Sequence, residues 1–68
     1  MKLTKGKRYW FSSGWNIYSG LYSGEFNRVT KTAILHRRNG DVWSIPVEDI
    51  YDSEAKALKN NKGQKVLD

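Results

Sequence analysis

The side chains able to do chemistry are few and poorly spaced for it. The single histidine, His36, is followed by Arg37 and Arg38, whose charges oppose a bound cation. Asp41, Glu48, Asp49 and Asp52 lie close in sequence, but without the spacing of a calcium loop, and Glu48-Asp49 reads as a solvated turn. Cysteine is absent, which removes thiolate nucleophiles, disulfides and cysteine-based zinc or iron–sulfur sites. Ser-Gly recurs at 13–14, 19–20 and 23–24 without the lysine and following helix of a phosphate-binding loop. The residues therefore predict no catalysis, no metal or cofactor, and no small-molecule substrate.

Two patterns suit binding instead. In Lys7-Arg8-Tyr9-Trp10-Phe11, strand alternation puts Tyr9 and Phe11 on one face and Arg8 and Trp10 on the other. With Tyr9 and Phe11 inside, Trp10 offers a stacking plane beside the phosphate-binding Arg8, unless a later helix covers it. Arg28, Lys31, Arg37 and Arg38 on neighbouring strands would extend a basic face. The nucleic-acid-binding set expected is thus Arg8, Trp10, Lys31, Arg37 and Arg38. The second pattern is Ser12 to Phe26, which mixes Tyr, Trp, Ser, Gly and Asn as antibody paratopes do. Exposed Trp15, Tyr18 and Tyr22 would make a protein-binding surface; buried, the same tyrosines would only fill a core.

The charge distribution agrees with an anionic partner. The net charge is +5, and the first forty residues carry eight Lys and Arg against Glu25 alone. Residues 41–52 hold four carboxylates and no base, and the remainder is lysine-rich again. Such a body attracts nucleic acid, RNA or DNA, or an acidic protein surface. Excess lysine also simply keeps a small aromatic-rich chain in solution. The opening residues lack a signal-peptide core and no apolar run reaches membrane-span length, so a cytoplasmic protein without a membrane partner is expected.

These residues must be positioned by one small domain, because 68 residues supply a single core. Nine aromatics are available to fill it. Strand signals dominate. The run from Lys7 to Phe11 ends at Ser12-Ser13-Gly14. The run from Trp15 to Tyr22 contains Gly20, which predicts a bulge or bend there. A third run spans Val29 to Arg37. Arg38-Asn39-Gly40 is the clearest turn. A two-residue turn would pair Ile34 with Ile45 and His36 with Trp43; a three-residue turn with Gly40 in a bulge would pair Ala33 with Ile45 and Leu35 with Trp43. The second register gathers the apolar residues on one face and turns His36 outward, so it is preferred.

After Pro46, a short 3₁₀ turn and a brief strand through Tyr51 are expected. A helix follows over about 53–61, with Asp52 or Ser53 as N-cap and Ala55 and Leu58 as its docking face. Residues 63–68 read as a flexible tail after a domain spanning 1–62.

Gly6-Lys7-Arg8-Tyr9-Trp10-Phe11 and Gly40-Asp41-Val42-Trp43-Ser44-Ile45-Pro46-Val47-Glu48-Asp49-Ile50-Tyr51 resemble the first strand and the last hairpin, with its 3₁₀ turn, of small SH3-like barrels. Short proteins of phages and mobile elements are among these. The resemblance covers residues 6–52 and implies a mainly β fold, a five-stranded barrel to which the short C-terminal helix is appended. It further implies a binding module, with no particular ligand. The acidic first loop of the proline-rich-peptide binders is missing. The reading is a small non-catalytic module for nucleic acid of low sequence specificity; the alternative is a protein–protein module, such as a phage-type regulator or inhibitor of a larger protein.

Overall fold

A computed structural model describes residues 2–67. β1 (Arg8–Ser13) and β2 (Asn16–Asn27) form an antiparallel hairpin in which Phe11 faces Tyr18 and Tyr9 faces Gly20. β2 is long enough to serve two neighbours: it pairs with β1 in its first half and with β3 (Thr32–His36) in its second. Gly20 sits at the crossover. A Cβ there would lie 3.1 Å from the His36 carbonyl oxygen and 3.2 Å from the Leu35 Cβ, so any side chain would require β3 to give by a few tenths of an ångström.

The bulge expected at Gly20 lies further along. Between Tyr22↔Leu35 and Phe26↔Ala33 the register shifts, with Gly24 at φ +91° absorbing the extra residues. The third run also starts later than its composition suggests. Asn27 Oδ1 accepts from the Val29 and Thr30 amides at 2.9 and 3.1 Å, which holds residues 28–31 in a turn before β3.

β3 and β4 (Val42–Pro46) meet in the three-residue hairpin. The Arg37 amide donates to the Asp41 carbonyl at 2.8 Å, the Gly40 amide to the Arg37 carbonyl at 3.1 Å, and Gly40 has φ +95°. Leu35 faces Trp43 and Ala33 faces Ile45, and His36 is exposed, as the apolar parity requires.

A 3₁₀ turn over Val47–Asp49 leads into β5 (Ile50–Tyr51), which pairs with β1. α1 (Glu54–Asn60) follows, its first turn capped by Ser53, whose Oγ accepts from the Lys56 amide at 3.1 Å. The helix docks through Ala57, which is fully buried, and not through Ala55 and Leu58, which are exposed. α1 packs on β1 and β5, and Asn61 Nδ2 is 3.5 Å from the Tyr51 hydroxyl.

Within the segment read as a tail, Lys65–Val66 forms β6, parallel to Asn16–Ile17 of β2, and the Leu67 amide donates to the Ile17 carbonyl at 2.7 Å. β3 takes the edge of β2 only from Leu21 onward, so the first half of that edge would be bare without β6. Asp68 lies outside the described residues.

The chain is therefore mainly β, with one helix. Its strands run β4-β3-β2-β1-β5, all antiparallel, and β6 adds to β2. The ladder among the described residues is open at β4 and β5 and does not close into a barrel. One face carries the core of Tyr9, Phe11, Tyr22, Ala33, Leu35, Ile45 and Ile50. The other face is also covered over β1 and β2, where Ile17 and Ser19 are buried opposite Ser12 and Trp10.

Candidate nucleic-acid interface

Strand alternation places Arg8 and Trp10 on the face of β1 away from the core. Arg8 Nη1 donates to Ser19 Oγ at 3.0 Å, and the residue opposite Arg8, Leu21, itself faces His36. Trp10 is half-buried between Ser19 on β2 and Tyr51 on β5, under the side of the sheet that α1 occupies. Tyr51, its partner on β5, shares that face, and the Tyr51 hydroxyl meets Asn61 at the end of α1.

Arg37 has a different task. Its guanidinium carbon lies 4.5 Å from the Tyr18 ring centroid and 6.0 Å from that of Trp43, and its side chain is only 9% exposed. Nη1 stands 3.9 Å from Asp41, while the buried Nε has no hydrogen-bond partner among the described residues. A guanidinium spread over two aromatic faces is held by cation–π attraction and is not directed at solvent phosphate. Arg38 is exposed in the hairpin turn. Lys31 is exposed at the opposite end of β3, in a left-handed conformation (φ +56°), and its carbonyl accepts from the Val47 amide at 2.9 Å. The length of β3, about 16 Å, separates Lys31 from Arg37 and Arg38. The five residues expected to act together thus occupy three places.

The tyrosine-rich segment is mostly structural. Tyr18 and Tyr22 do share a face, but it is the inner one: Tyr22 belongs to the core, and Tyr18 stacks with Phe11 and Trp43 at centroid distances of 6.0 and 5.5 Å. Phe11 and Trp43 close the triangle at 5.5 Å. Trp15, in the turn between β1 and β2, is 86% exposed.

A basic, aromatic groove forms elsewhere, where the N-terminal arm crosses the end of β2. The Gly6 amide donates to the Tyr22 carbonyl at 2.8 Å and the Thr4 amide to the Tyr9 hydroxyl at 2.8 Å, which lays residues 2–6 along the sheet. Lys5 lies over Gly24, so a Cβ at that position would meet its Cδ at 3.0 Å. The resulting groove, about 490 Å³, is lined by Lys2, Leu3, Tyr22, Phe26, Arg28 and Val47. A second hollow continues it past Val47 to Lys31 and Glu48, and a third continues it past Phe26 to Glu25. Phe26 is 45% exposed, an open aromatic face at a wall otherwise supplied by the core.

Of the expected residues, Tyr22 lines this groove and Lys31 lies in the adjoining hollow. Arg28 was expected only as an extension of the basic face, and Lys2 and Phe26 were not singled out from sequence, although Phe26-Asn27-Arg28 carries an aromatic and a base two residues apart.

The carboxylates do not converge. Asp41 lies by Arg37 and Asn39, and Asp52 pairs with Lys56 at 3.1 Å. The hydrogen bond from Lys56 holds the Asp52 carboxyl below its ordinary range. Among the described residues, no three of His, Asp and Glu gather closely enough to hold a metal ion, and no helix is long and apolar enough to cross a membrane. Compared with protein-family models, curated proteins and solved structures, the chain has no match in any of the three.

Proposed function

We propose that this chain is a non-catalytic nucleic-acid-binding module of low sequence specificity, on an SH3-like scaffold, acting through the groove at the end of β2. The observation that carries the reading is Phe26, half-exposed in a groove that Lys2 and Arg28 also line, with Lys31 in the adjoining hollow. An open aromatic face stacks any base, and three nearby cations meet the phosphates on either side. No array of directed donors and acceptors accompanies them, so the expected binding reads charge and stacking more than sequence. The strand order β4-β3-β2-β1-β5, the Asn-Gly hairpin and the 3₁₀ turn before β5 support the SH3-like assignment. The lack of cysteine suits a reducing cytoplasm.

One observation favours the protein-binding alternative, a regulator-type contact with a larger protein: Trp15, 86% exposed in a short turn, is the kind of anchor that dominates protein interfaces. The two readings separate in one experiment. Anisotropy of labelled single- and double-stranded RNA and DNA is measured with the wild type and with Phe26→Ala, Arg28→Ala and Trp15→Ala at about 50 and 200 mM salt. Three phosphate contacts predict about twenty- to fortyfold weaker binding at the higher salt. Phe26→Ala and Arg28→Ala are expected to weaken binding, and Trp15→Ala to leave it unchanged. No binding to any oligonucleotide at low salt would sink the proposal.

A further inference from the structure

β4 ends the sheet, and its outer side is open. The other end is protected: β5 has only two residues and leads directly into α1. The direction of the backbone groups of β4 follows from its pairing. Arg37 bonds to Asp41 and Val47 bonds to Lys31, with Leu35↔Trp43 and Ala33↔Ile45 between them. In an antiparallel ladder these alternate residues face the partner strand, so the amides and carbonyls of Val42 and Ser44 and the carbonyl of Pro46 point away from the sheet. No charged side chain interrupts Val42–Pro46, and its five residues pair with β3 without a bulge. Of the usual protections of an edge only the proline is present, at its last position. Val42, on the face away from the core, is 59% exposed beside His36.

We propose that β4 is a self-association edge, pairing antiparallel with β4 of a second copy about a two-fold axis near the centre of the strand. Antiparallel pairing there lets Val42 and Ser44 donate in both copies, four N–H to O=C bonds, and Pro46 has no donor to lose. Charge selects the second copy and the direction. The hairpin end of β4 carries Arg38 beside Asp41, and the far end carries Glu48 and Asp49. Antiparallel pairing brings the Arg38 end of one copy to the Glu48–Asp49 end of the other, whereas parallel pairing would set like ends together. Val42 of each copy then lies over the second copy's uncharged strand. This surface is separate from the Phe26 groove and does not depend on the nucleic-acid reading. A single strand edge is small beside a standard interface, so association is expected at roughly 0.1 to 1 mM.

The test is sedimentation equilibrium of the full chain from about 10 μM to 1 mM, with amide shifts followed over the same range. The expected result is an average mass rising toward twice that of the chain, with concentration-dependent shifts at Val42 and Ser44. Val42→Glu sets a carboxylate against the second copy's Glu48–Asp49 end, and Ser44→Pro removes an outward amide without taking a bond from β3. Both are expected to stay monomeric while keeping wild-type far-ultraviolet circular dichroism. A wild type that is monomeric throughout, or a dimer that folded Val42→Glu leaves intact, would overturn the proposal.

Discussion

The two ends of β2 are built to opposite rules. Its first half, with β1, is enclosed: Phe11 and Tyr9 pack on one side, while Ile17 and Ser19 are buried on the other, the side where α1 lies against β1 and β6 pairs with β2. Its second half, past the bulge, has the core on one side and solvent on the other; there Phe26 and, in the turn that follows β2, Arg28 reach the surface. Aromatic and basic residues occur in both halves. Where a second layer covers the sheet they support structure; where none does they are available to a ligand. Trp10 and Phe26 illustrate this: each is a strand aromatic with an arginine two residues away, but one lies on the side of α1 and the other forms a groove wall.

The strongest test of that contrast is a pair of truncations. Phe11→Ala should cost about 3–5 kcal/mol, comparable to the whole stability of a domain this small, and leave the chain largely unfolded in urea titration. Phe26→Ala should cost less than about 1 kcal/mol, since its ring is half in water. Equal losses would mean that the two halves are not distinct.

The arginines sharpen the comparison at a smaller scale. Arg37→Ala should cost about 1–2 kcal/mol, because the Tyr18 and Trp43 rings lose the cation and stem that cover them. Arg38→Ala, in the exposed turn, should stay within about 0.5 kcal/mol of wild type. A reversed order in denaturant midpoints would contradict the stacking role of Arg37.

The smallest effect concerns pH. The folded state holds the Asp52 carboxyl below its ordinary value of 3.8, mainly through the hydrogen bond from Lys56. That contribution is full above the ordinary value and is lost as pH falls through the lowered one. Because the pair is on the surface, the change should be slight and should vanish in Lys56→Met; an unchanged acid limb in that variant's denaturation profile would remove Asp52 from the account.

Much of the fold was legible in the residues. The parity of Ala33, Leu35, Trp43 and Ile45 against His36 selected the hairpin register, because the wrong choice would turn the apolar set to water. The Ser53 cap and the 3₁₀ turn after Pro46 were equally readable, being determined by neighbours in the chain. The site was less so. Lys31 and Tyr22 were singled out and Arg28 was placed on the basic face, but Phe26 and Lys2 were not, since the groove exists only where the arm at 2–6 crosses a bulge that had been expected near Gly20.

Local alternation, turn chemistry and charge, which act over a few residues, are thus enough to establish a small, basic, mainly β chain with one tight hairpin and a capped helix. What they leave undetermined is which of two chemically similar faces is covered. Ala57 docking on β1 and β5, β6 joining β2 and Arg37 folding onto Tyr18 all join residues distant in sequence. Their placement is decided by packing and backbone pairing across the folded chain, for which no short stretch of sequence carries the geometry.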